Sequence, residues 1–355
     1  MRVLITGGAG FIGSSLAVSL AERRPAWELL AVDSLYRPGS ELNLPRLEAA
    51  GVPFERLDVR DRAAVLALGD FDAIFEGAAE PAVGAASTLA GREALVDTNL
   101  IGAYNCLELA ARGGAHFIAM STSRVYPVDA ITALRLDRSG PRPTIAAGQD
   151  VPGASPAGIG EEFPLDGPRT LYGAGKLAAE LLAAEFRELG ARVTVNRCGV
   201  VSGPWQMATA DQGVFAHWVM CHRFRRPLAY IGYGGQGSQV RDVLHVADLV
   251  DLLEIQLADP ASWDGVTVNV GGGAENSLSL AETTELCREL TGVEIEIGSI
   301  PETRAGDIPI YVSDCSRLSE LTDWRPQRSP RRTLADTAAW VDAHAEDLLR
   351  IGSGS

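Results

Sequence analysis

The sequence predicts an α/β protein with a doubly wound parallel sheet and a smaller, interleaved C-terminal α/β lobe. Two observations predict this class. Short β-rich apolar runs alternate with helical patterns through the first half of the chain, and a glycine-rich turn follows the first of these runs. Strands that alternate with helices are typical of βαβ units, whose parallel sheet is covered by helices on both faces.

The alternation can be followed element by element. The predicted strands of the first half are RVLIT, ELLAVD, FERLDV, DAIFEG and HFIAMS. The predicted helices between them are FIGSSLAVSLAE, RAAVLAL and ALVDTNLIGAYNCLELAAR. The helix LYGAGKLAAELLAAEFRELG and the strand VTVNR then extend the pattern, and the helices VADLVDLLEIQLA and SLAETTELCREL fit the smaller lobe.

A stretch rich in Pro, Gly and Ala separates the two halves of this pattern, from about residue 127 to 170. An irregular segment of this length in a compact domain is usually a functional loop or lid. We therefore expect a first domain over residues 1–200 that carries this insertion. The second lobe is expected over residues 201–355, with a segment of about 238–270 returning to the first domain.

The bulk composition excludes several classes of partner. The chain has 355 residues, of which 31 are Lys or Arg and 46 are Asp or Glu, so its formal net charge is −15. This balance disfavours nucleic acid and anionic membranes. The N-terminus lacks the pattern of a signal peptide, and no apolar run approaches the roughly 18 residues of a membrane span. We expect a cytoplasmic protein.

The five cysteines are widely spaced and form no CxxC pair, so we expect buried thiols rather than disulfides or a zinc site. Of the five histidines, only His217 and His222 are near one another in sequence, and no second pair of ligands accompanies them. We therefore expect no metal centre.

The glycine-rich turn predicts a dinucleotide site. Gly7, Gly10 and Gly13 lie directly after a predicted strand and at the opening of a helix, and Asp33 ends the next strand twenty positions later. Glycine permits close approach of a pyrophosphate, and the helix N-terminus supplies free N–H groups. A carboxylate at Asp33 would accept ribose hydroxyls and repel a 2′-phosphate, which favours NAD over NADP. Arg37, four residues on, is expected to be solvated or to stack on adenine.

The spacing of Tyr172 and Lys176 predicts a catalytic pair. The two residues stand at i and i+4 on one helix, so they share a face, and Lys176 is the single lysine of the chain. A phenol with a pKa near 10 is a poor base unless a cation beside it stabilises the phenolate. A compact ammonium can do this and also bond the hydroxyls of a nicotinamide ribose, which a planar guanidinium fits poorly.

Hydroxyl side chains end the strand HFIAMS, at Ser121, Thr122 and Ser123. The carboxyl edge of a parallel sheet faces the cofactor crevice in doubly wound folds. One of these hydroxyls could therefore hydrogen-bond a substrate hydroxyl or the carbonyl formed from it.

Together, TGGAGFIG, the SerThrSer strand end and YGAGK resemble the extended short-chain dehydrogenase/reductase family, with its Rossmann-type domain. The similarity is to the NAD-dependent nucleotide-sugar epimerases and dehydratases. DVRD, DTNLIGAYN and the closing LTDWRP extend the resemblance to nearly the whole chain. The resemblance implies a catalytic set of Thr122, Tyr172 and Lys176. It implies NAD contacts at the following residues: Gly7, Gly10, Phe11, Ile12, Gly13, Asp33, Ser34, Arg37, Asp58, Val59, Ala78, Ala79, Glu80, Asn99, Ser121, Tyr172 and Lys176.

Within the family, several stretches are most similar to the 2-epimerases of CDP-sugars of the paratose and tyvelose type. These include DSLYRPGSELNLPRL, QMATADQG, GQGSQVRDVLHVAD and NVGGGAENSLSLAE. The resemblance implies that substrate is bound by Ser123, Gln206, Gln212, Arg241, Arg304 and Asp307. Arg241 and Arg304 would form a local clamp for the diphosphate, a geometry that guanidinium groups suit, and Asp307 would orient Arg304 or contact the nucleotide ribose.

Three positions depart from the family pattern. Glu76 stands where most relatives carry His, Glu80 where many carry Gln, and Val200 where an Asn commonly contacts the substrate phosphate. The residues after Thr122 also differ from those of 4,6-dehydratases, which use an Asp and Glu pair there, because this chain has Ser123 and Arg124.

These inferences predict an epimerase that oxidises one sugar hydroxyl to a ketone and reduces it from the opposite face. A CDP-sugar 2-epimerase is the leading interpretation, and a 4-epimerase of UDP-, GDP- or dTDP-sugars uses the same machinery. A dehydratase, an NADPH-dependent sugar reductase and a non-catalytic NAD sensor remain alternatives. By resemblance, the helices around LVDTNLIGAYNCLELAA and over residues 172–189 are expected to form a homodimer or higher homo-oligomer.

Overall fold

The computed structural model describes residues 1–352, and within them the chain separates into two compact units. The first unit contains Met1–Thr122, Leu171–Arg197 and Val250–Thr267. The second unit contains Ser123–Thr170, Cys198–Leu249 and the chain from Val268 onward. Residues 353–355, the end of the predicted lobe over 201–355, lie outside the described residues.

Seventeen strands are found in the described chain, most of them short. In chain order they are β1 (Arg2–Thr6), β2 (Glu28–Asp33), β3 (Phe54–Arg56), β4 (Ala73–Glu76), β5 (His116–Thr122), β6 (Leu136–Asp137), β7 (Thr144–Ile145), β8 (Ala154–Ser155), β9 (Gly158–Ile159), β10 (Arg192–Cys198), β11 (Val200–Ser202), β12 (Leu228–Ile231), β13 (Val240–His245), β14 (Val266–Val270), β15 (Ser277–Ser279), β16 (Ile297–Ile300) and β17 (Ile310–Tyr311).

Fourteen α-helices accompany these strands in residues 1–352. They are α1 (Phe11–Arg23), α2 (Leu44–Ala49), α3 (Arg62–Ala67), α4 (Leu89–Val96), α5 (Ala103–Gly113), α6 (Val128–Thr132), α7 (Leu171–Glu188), α8 (Val214–Arg223), α9 (Val246–Ala258), α10 (Pro260–Trp263), α11 (Leu280–Thr291), α12 (Ser316–Leu321), α13 (Pro330–Ala343) and α14 (Ala345–Gly352). A π-helix over Asp97–Gly102 joins α4 to α5. Short 3₁₀ turns span Ser40–Asn43, Val83–Ser87, Ser123–Val125 and Ala274–Asn276.

The seven-stranded sheet of the first unit confirms the predicted doubly wound class. Its strand order is β14-β10-β5-β4-β1-β2-β3, and the pairs β4 with β5, β4 with β1, β1 with β2 and β2 with β3 are parallel. Thr6 of β1 pairs with Glu76 of β4, and Glu76 pairs with Ala119 of β5. This register brings the carboxyl ends of the central strands to one edge of the sheet, where ligands bind in such folds.

Apolar side chains of the central strands and their covering helices form the core of this unit. Leu4, Ile74 and Phe117 are fully or almost fully buried in one cluster with Leu107 of α5 and Phe186 of α7. Strands buried on both faces explain why the central runs of the sequence are continuously apolar rather than alternating.

The second unit is built on a smaller sheet in the order β11-β13-β15, with β17 also paired to β13. The pairs β11 with β13 and β13 with β17 are parallel, whereas β15 runs antiparallel to β13. A separate core joins α8, α11 and α13 through buried side chains that include Phe215, Trp218, Cys287, Leu334 and Val341.

The long segment before α7 belongs to the second unit, although we expected it as an insertion in the first domain. It contains α6 and two small antiparallel ladders. Asn269 fixes it, since its side-chain amide donates to the carbonyl of Ile159 at 2.8 Å and accepts from the Tyr126 hydroxyl at 2.8 Å. Arg142 pairs with Glu282 of α11 at 3.0 Å. These partners explain how an irregular sequence adopts a fixed structure.

The segment that returns to the first unit is Val250–Thr267, which is shorter than the expected range of about 238–270. The strand Val240–His245 instead forms the centre of the second unit's sheet. Among residues 1–352, no helix combines the length and the apolar character needed to cross a membrane.

Candidate active site

The glycine turn after β1 leaves no room for side chains. Gly7 has a φ of +65°, and a Cβ added to it would lie 2.6 Å from the carbonyl oxygen of Gly77. A Cβ on Gly13 would lie 2.2 Å from the carbonyl oxygen of Gly7. Both distances are far below van der Waals contact, so the turn and the close packing of α1 upon it require glycine at these positions.

The N-terminus of α1 is open to an anion. Its N-cap, Gly10, supplies no side-chain hydrogen bond, and the first turn contains no acidic residue. The first-turn N–H groups of Phe11, Ile12 and Gly13 have no partner within an α-helix. They form, with the positive end of the helix dipole, a site that suits a pyrophosphate.

Asp33 lies beside this turn, at the end of β2. Its carboxylate accepts hydrogen bonds from the N–H of Leu35 at 2.8 Å and of Ala9 at 3.2 Å. Burial raises the pKa of Asp33 above its ordinary value, although these N–H groups oppose the change. A carboxylate held against the glycine turn can accept hydrogen bonds from ribose hydroxyls, and this contact of Asp33 stays a prediction.

The other predicted cofactor residues lie on neighbouring loops of the first unit. The Ser34 hydroxyl accepts a hydrogen bond from the N–H of Tyr36 at 3.3 Å. Arg37 is half-buried, and burial lowers its pKa while the charge of Glu80 opposes the change. Asp58 pairs with Arg60 at 2.5 Å, and this guanidinium holds the pKa of Asp58 below its ordinary value.

Asn99 fixes the loop after β4. It is fully buried in the π-helix, where its amide accepts from the N–H of Glu80 at 2.8 Å and donates to the carbonyl of the same residue at 3.0 Å. π-helical turns frequently occur at functional sites. Ala78 and Ala79 stand in this loop, and the N–H of Ala78 donates to the Thr6 hydroxyl at 3.3 Å. Val59 lies on the loop after β3, and its backbone carbonyl accepts a hydrogen bond from the Asn105 side-chain amide at 2.9 Å.

The proposed catalytic residues all stand in the first unit. Tyr172 lies in the first turn of α7 and Lys176 one turn further, and α7 packs against β5, whose last residue is Thr122. Lys176 is 3% exposed, and its Nζ atom donates to both carboxylate oxygens of Glu76, at 3.0 and 3.1 Å. Glu76 is the last residue of β4 and is equally buried.

Opposing effects set the charge state of Lys176. Burial alone would lower its pKa, but the Glu76 carboxylate and the Tyr172 phenol outweigh burial, and the pKa lies above its ordinary value. The ammonium form is therefore the stable one. Burial raises the pKa of Glu76, and the charge of Lys176 opposes that change.

A second buried ion pair follows on the same helix face. Glu180, one turn beyond Lys176, accepts hydrogen bonds from Arg197 of β10 at 2.8 to 3.2 Å. The Ser121 hydroxyl also donates to Glu180. The hydroxyl proton of Ser121 is therefore used within the protein. The contact of Ser121 with the cofactor stays a prediction.

Arg241 and Asp307 form the centre of the predicted substrate residues in the second unit. The Arg241 guanidinium donates to the carboxylate of Asp307 at 3.0 Å and to the carbonyl of Ile308 at 2.8 Å. The Tyr233 hydroxyl donates to the carbonyl of Asp307 at 3.0 Å. Burial lowers the pKa of Arg241, and Asp307 opposes this change. Asp307 thus orients Arg241 rather than Arg304, and its contact with the nucleotide ribose stays a prediction.

The remaining predicted substrate residues have different surroundings. Arg304 is exposed and lies 3.7 Å from the carboxylate of Asp211. Gln206 is buried, where its amide accepts from the Ser202 hydroxyl at 2.9 Å and donates to the carbonyl of Val201 at 3.1 Å. The amide keeps a second N–H and a second oxygen lone pair beyond these two bonds, so a contact with substrate stays a prediction. Gln212 forms an isolated bridge with Thr209, and Ser123 opens a 3₁₀ turn.

Sequence reasoning noted Glu76 only as a departure and missed Glu180, Arg197 and Tyr233. One signal was available. Glu76 closes an apolar strand, where a carboxylate is rarely buried without a cation, and the single lysine already had a predicted place near the end of the same sheet. The sequence thus signalled that Glu76 needs a cation, and the structure shows that Lys176 supplies it.

The chain matches the model of a known protein family. The match covers residues 3–271 and the family is described as the NAD dependent epimerase/dehydratase family. This agrees with the family that the sequence motifs resemble.

Three known proteins illustrate the similarity. The chain is 28% identical over 360 residues to CDP-paratose 2-epimerase from Salmonella typhi, across 97% of this chain and 100% of that protein. It is 30% identical over 348 residues to dTDP-glucose 4,6-dehydratase from Streptomyces antibioticus, across 96% and 92% respectively. The solved structure of UDP-glucose 4-epimerase from Thermus thermophilus in complex with NAD superposes with a TM-score of 0.76 at 25% identity, across 96% of this chain and 99% of that one.

Proposed function

This chain belongs to the NAD dependent epimerase/dehydratase family, and from that premise we propose that it is a nucleotide-sugar epimerase, with a CDP-sugar inverted at C2 as the leading reaction. The observation that carries the proposal is the arrangement on α7 and β5. Tyr172 and Lys176 share one helix face, this helix packs against the strand that ends at Thr122, and Lys176 is held as an ammonium.

The residues of the first unit fit the dinucleotide of this family. The uncapped first turn of α1 would hold the pyrophosphate, and Asp33 would accept the hydroxyls of the adenosine ribose. When bound, NAD supplies reversible oxidation of a secondary alcohol. Lys176 would then hydrogen-bond the ribose next to the reacting ring, a contact that a compact ammonium permits.

The catalytic side chains would handle the proton of the reacting hydroxyl. The Tyr172 oxygen would take this proton and later return it, and the neighbouring ammonium favours the phenolate needed for the first step. Thr122 would donate a hydrogen bond to the oxygen of the ketone. The sequence thus provides one base and one carbonyl partner, which suffice for an inversion without net redox change.

The strand end favours epimerisation over dehydration. Elimination of water from a sugar needs a second acid and base beside the reacting carbons. In this chain the two positions after Thr122 are Ser123 and Arg124. An arginine remains protonated at every physiological pH and cannot exchange a proton in this role. The Arg124 guanidinium instead donates to the carbonyl of Gly306 at 3.0 Å, within the second unit.

Two observations bear on the substrate. Similarity along nearly the full length to a CDP-paratose 2-epimerase supports a CDP-sugar and inversion at C2. Arg241, whose side chain is partly buried and oriented by Asp307, would hold the diphosphate together with Arg304. The similarity to a UDP-glucose 4-epimerase supports the second candidate, inversion at C4 of a UDP-, GDP- or dTDP-sugar.

NMR of reaction mixtures would test the proposal. Purified protein with NAD would be incubated with CDP-, UDP-, GDP- and dTDP-sugars, and the configuration at C2 and C4 would be followed. We expect inversion at C2 of a CDP-sugar, with no net formation of NADH. Inversion at C4 would select the second candidate. A 4-keto-6-deoxy product would establish a dehydratase, and steady NADPH consumption a reductase.

We further propose that the protein acts in carbohydrate biosynthesis in the cytoplasm, as a homodimer or higher homo-oligomer. Exposed apolar side chains on helical segments of the first unit support self-association. They are Leu89, Val96, Ile101 and Leu181. A sedimentation-equilibrium measurement of the full chain tests the assembly.

A further inference from the structure

We propose that Glu76 is a positioning residue, whose carboxylate holds the ammonium of Lys176 in place and balances its charge beside Tyr172. The inference rests on the proposed function insofar as Tyr172 and Lys176 are the catalytic pair. It concerns a position where the family resemblance leads one to expect histidine.

The contact between the two residues is bidentate and buried. The Nζ atom of Lys176 lies 3.0 Å from one carboxylate oxygen of Glu76 and 3.1 Å from the other, and each residue is 3% exposed. The residues are 100 positions apart in sequence, so only the sheet and the packing of α7 bring them together. Two of the three ammonium protons can point at this carboxylate at once.

A second carboxylate is near, but it has its own partners. Glu180 contributes to the raised pKa of Lys176, yet its oxygens accept hydrogen bonds from Arg197 and Ser121. Glu76 is therefore the carboxylate that bonds the ammonium among the described residues. A buried charge is stable only with such a partner, because burial removes its hydration.

Four titratable groups surround Lys176. Tyr172 and Glu180 face it from α7, and Glu76 faces it from β4. Burial raises the pKa of the Cys106 thiol on α5, so this thiol stays protonated. The charges of Glu76 and Lys176 act on its pKa in opposite directions. Arg197 of β10 is bonded to Glu180. The carboxylates of Glu76 and Glu180 balance the two positive charges of Lys176 and Arg197, so loss of Glu76 leaves one uncompensated positive charge.

This charge balance has two consequences. Removal of the carboxylate leaves burial as the main influence on the ammonium, so Lys176 should lose its proton at lower pH. In the pH range where it is still charged, the unbalanced ammonium favours the Tyr172 phenolate more strongly. A residue with a purely structural role would change neither titration.

The single lysine makes the test direct. Protein labelled with [¹³Cε]-lysine gives one lysine signal, whose chemical shift follows the protonation of Nζ. The NAD-loaded wild type, Glu76→Gln and the control Glu93→Gln would be titrated. Glu93 is an exposed residue of α4, so its change removes one negative charge without touching the pair. We expect the wild type and Glu93→Gln to keep the ammonium beyond the pH at which an ordinary lysine loses its proton, because the Glu76 carboxylate opposes the effect of burial and the pKa of Lys176 lies above its ordinary value.

For Glu76→Gln we expect the lysine signal to titrate at clearly lower pH, and the acidic limb of the turnover profile to move to lower pH. A lysine titration that matches the wild type would overturn the proposal. The lysine titration, unlike the turnover profile, needs no sugar substrate. Its result therefore stands even if the protein turns out not to be an epimerase. Conversely, failure of every sugar assay with a shifted lysine titration would reject the proposed function alone.

A second variant covers the case in which Glu76→Gln does not fold. The double change Glu76→Gln with Lys176→Met removes both charges. If the pair is a charge balance, the double variant should be more stable to urea than Glu76→Gln alone. Equal instability of the single and double variants would contradict the proposal, since the lysine would then gain nothing from the carboxylate.

Discussion

Arg197 and Glu180 form a buried ion pair one helical turn beyond Lys176, with hydrogen bonds of 2.8 to 3.2 Å and both side chains 8% exposed. Loss of one partner leaves a buried charge without compensation, which typically costs about 3–5 kcal/mol. We predict that Arg197→Met lowers the free energy of unfolding by this order, measured by urea denaturation followed by circular dichroism.

The chain offers a matched control on the same unit. Arg187 pairs with Asp264 at 2.9 Å, but both side chains are about one-third exposed or more. Exposed pairs contribute about 0–1 kcal/mol because water and salt screen them. Arg187→Met should therefore cost much less than Arg197→Met. Equal losses in the two variants would show that burial does not decide the strength of these pairs.

The second prediction concerns pH and His116. The Thr194 hydroxyl donates its one proton to the carbonyl of Trp263 at 2.8 Å, so the His116 Nε2 atom, 2.7 Å away, must carry the proton and donate to it. His116 is fully buried, and burial lowers its pKa from 6.5 to about 4. Protonation would put a charge on the buried Nδ1 atom, which has no hydrogen-bond partner among the described residues.

The direction of this pH dependence follows from the number of protons bound to the folded and the unfolded chain. Between pH 6.5 and about 4 the unfolded chain binds a proton at His116 and the folded chain does not. The contribution of neutral His116 to the free energy of unfolding is therefore complete above pH 6.5. It is lost as the pH falls through this window, by about 3 kcal/mol in total. Urea denaturation at pH 7 and pH 5 should show a smaller loss in His116→Gln than in the wild type. A larger loss in the variant would contradict the lowered pKa of His116.

The third prediction concerns the base. Tyr172→Phe removes only the phenol oxygen, and general acid–base groups typically contribute about 10²- to 10⁴-fold to turnover. We expect kcat to fall by this factor while NAD remains bound, as measured by absorbance and by chromatography of the released cofactor. Tyr104→Phe is the control, because the Tyr104 hydroxyl bonds Glu108 at 2.8 Å on α5. A Tyr172→Phe protein with full turnover would remove Tyr172 from the mechanism.

The fourth prediction concerns the diphosphate. Arg241→Met should weaken substrate binding about 10- to 100-fold, because a hydrogen bond to a charged group is worth roughly 1.5–3 kcal/mol. KM and the inhibition constant of CDP should rise together, measured in the sugar assay. Arg331→Met is the control, since Arg331 pairs with Glu289 on exposed parts of the second unit. An unchanged inhibition constant in Arg241→Met would place the diphosphate elsewhere.

Features encoded by neighbouring residues could be predicted from the sequence. The strands RVLIT and ELLAVD coincide with β1 and β2, and VADLVDLLEIQLA coincides with α9. The same holds for the spacing of Tyr172 and Lys176, which depends only on the helical period. The predicted continuous helix before β5 is instead divided by a π-helix over Asp97–Gly102. One extra residue in a turn leaves the apolar pattern almost unchanged, so periodicity could not reveal it.

Contacts between distant parts of the chain could not be predicted in this way. Arg241 and Asp307 are 66 positions apart, and Ile159 and Asn269 are 110 apart. Each pairing depends on strand order and register, which a single sequence leaves open. The family resemblance likewise implied that Asp307 orients Arg304 or contacts the nucleotide ribose, and it gave no sign of the pairing with Arg241 that the structure shows.

The final prediction separates the two reasons for glycine in the turn after β1, which we propose holds NAD. Gly7 and Gly51 both have a positive φ, +65° and +68°, but a Cβ on Gly7 would meet backbone at 2.6 Å, whereas one on Gly51 would have no atom within 4 Å. Left-handed backbone costs an L-residue roughly 1–2 kcal/mol. Gly51→Ala should therefore lose about this much stability and keep its affinity for NAD. Gly7→Ala must also displace the loop after β4, so we expect NAD affinity, measured by calorimetry on cofactor-free protein, to fall at least tenfold. Equal NAD affinity in the two variants would mean that the turn after β1 does not form the pyrophosphate site.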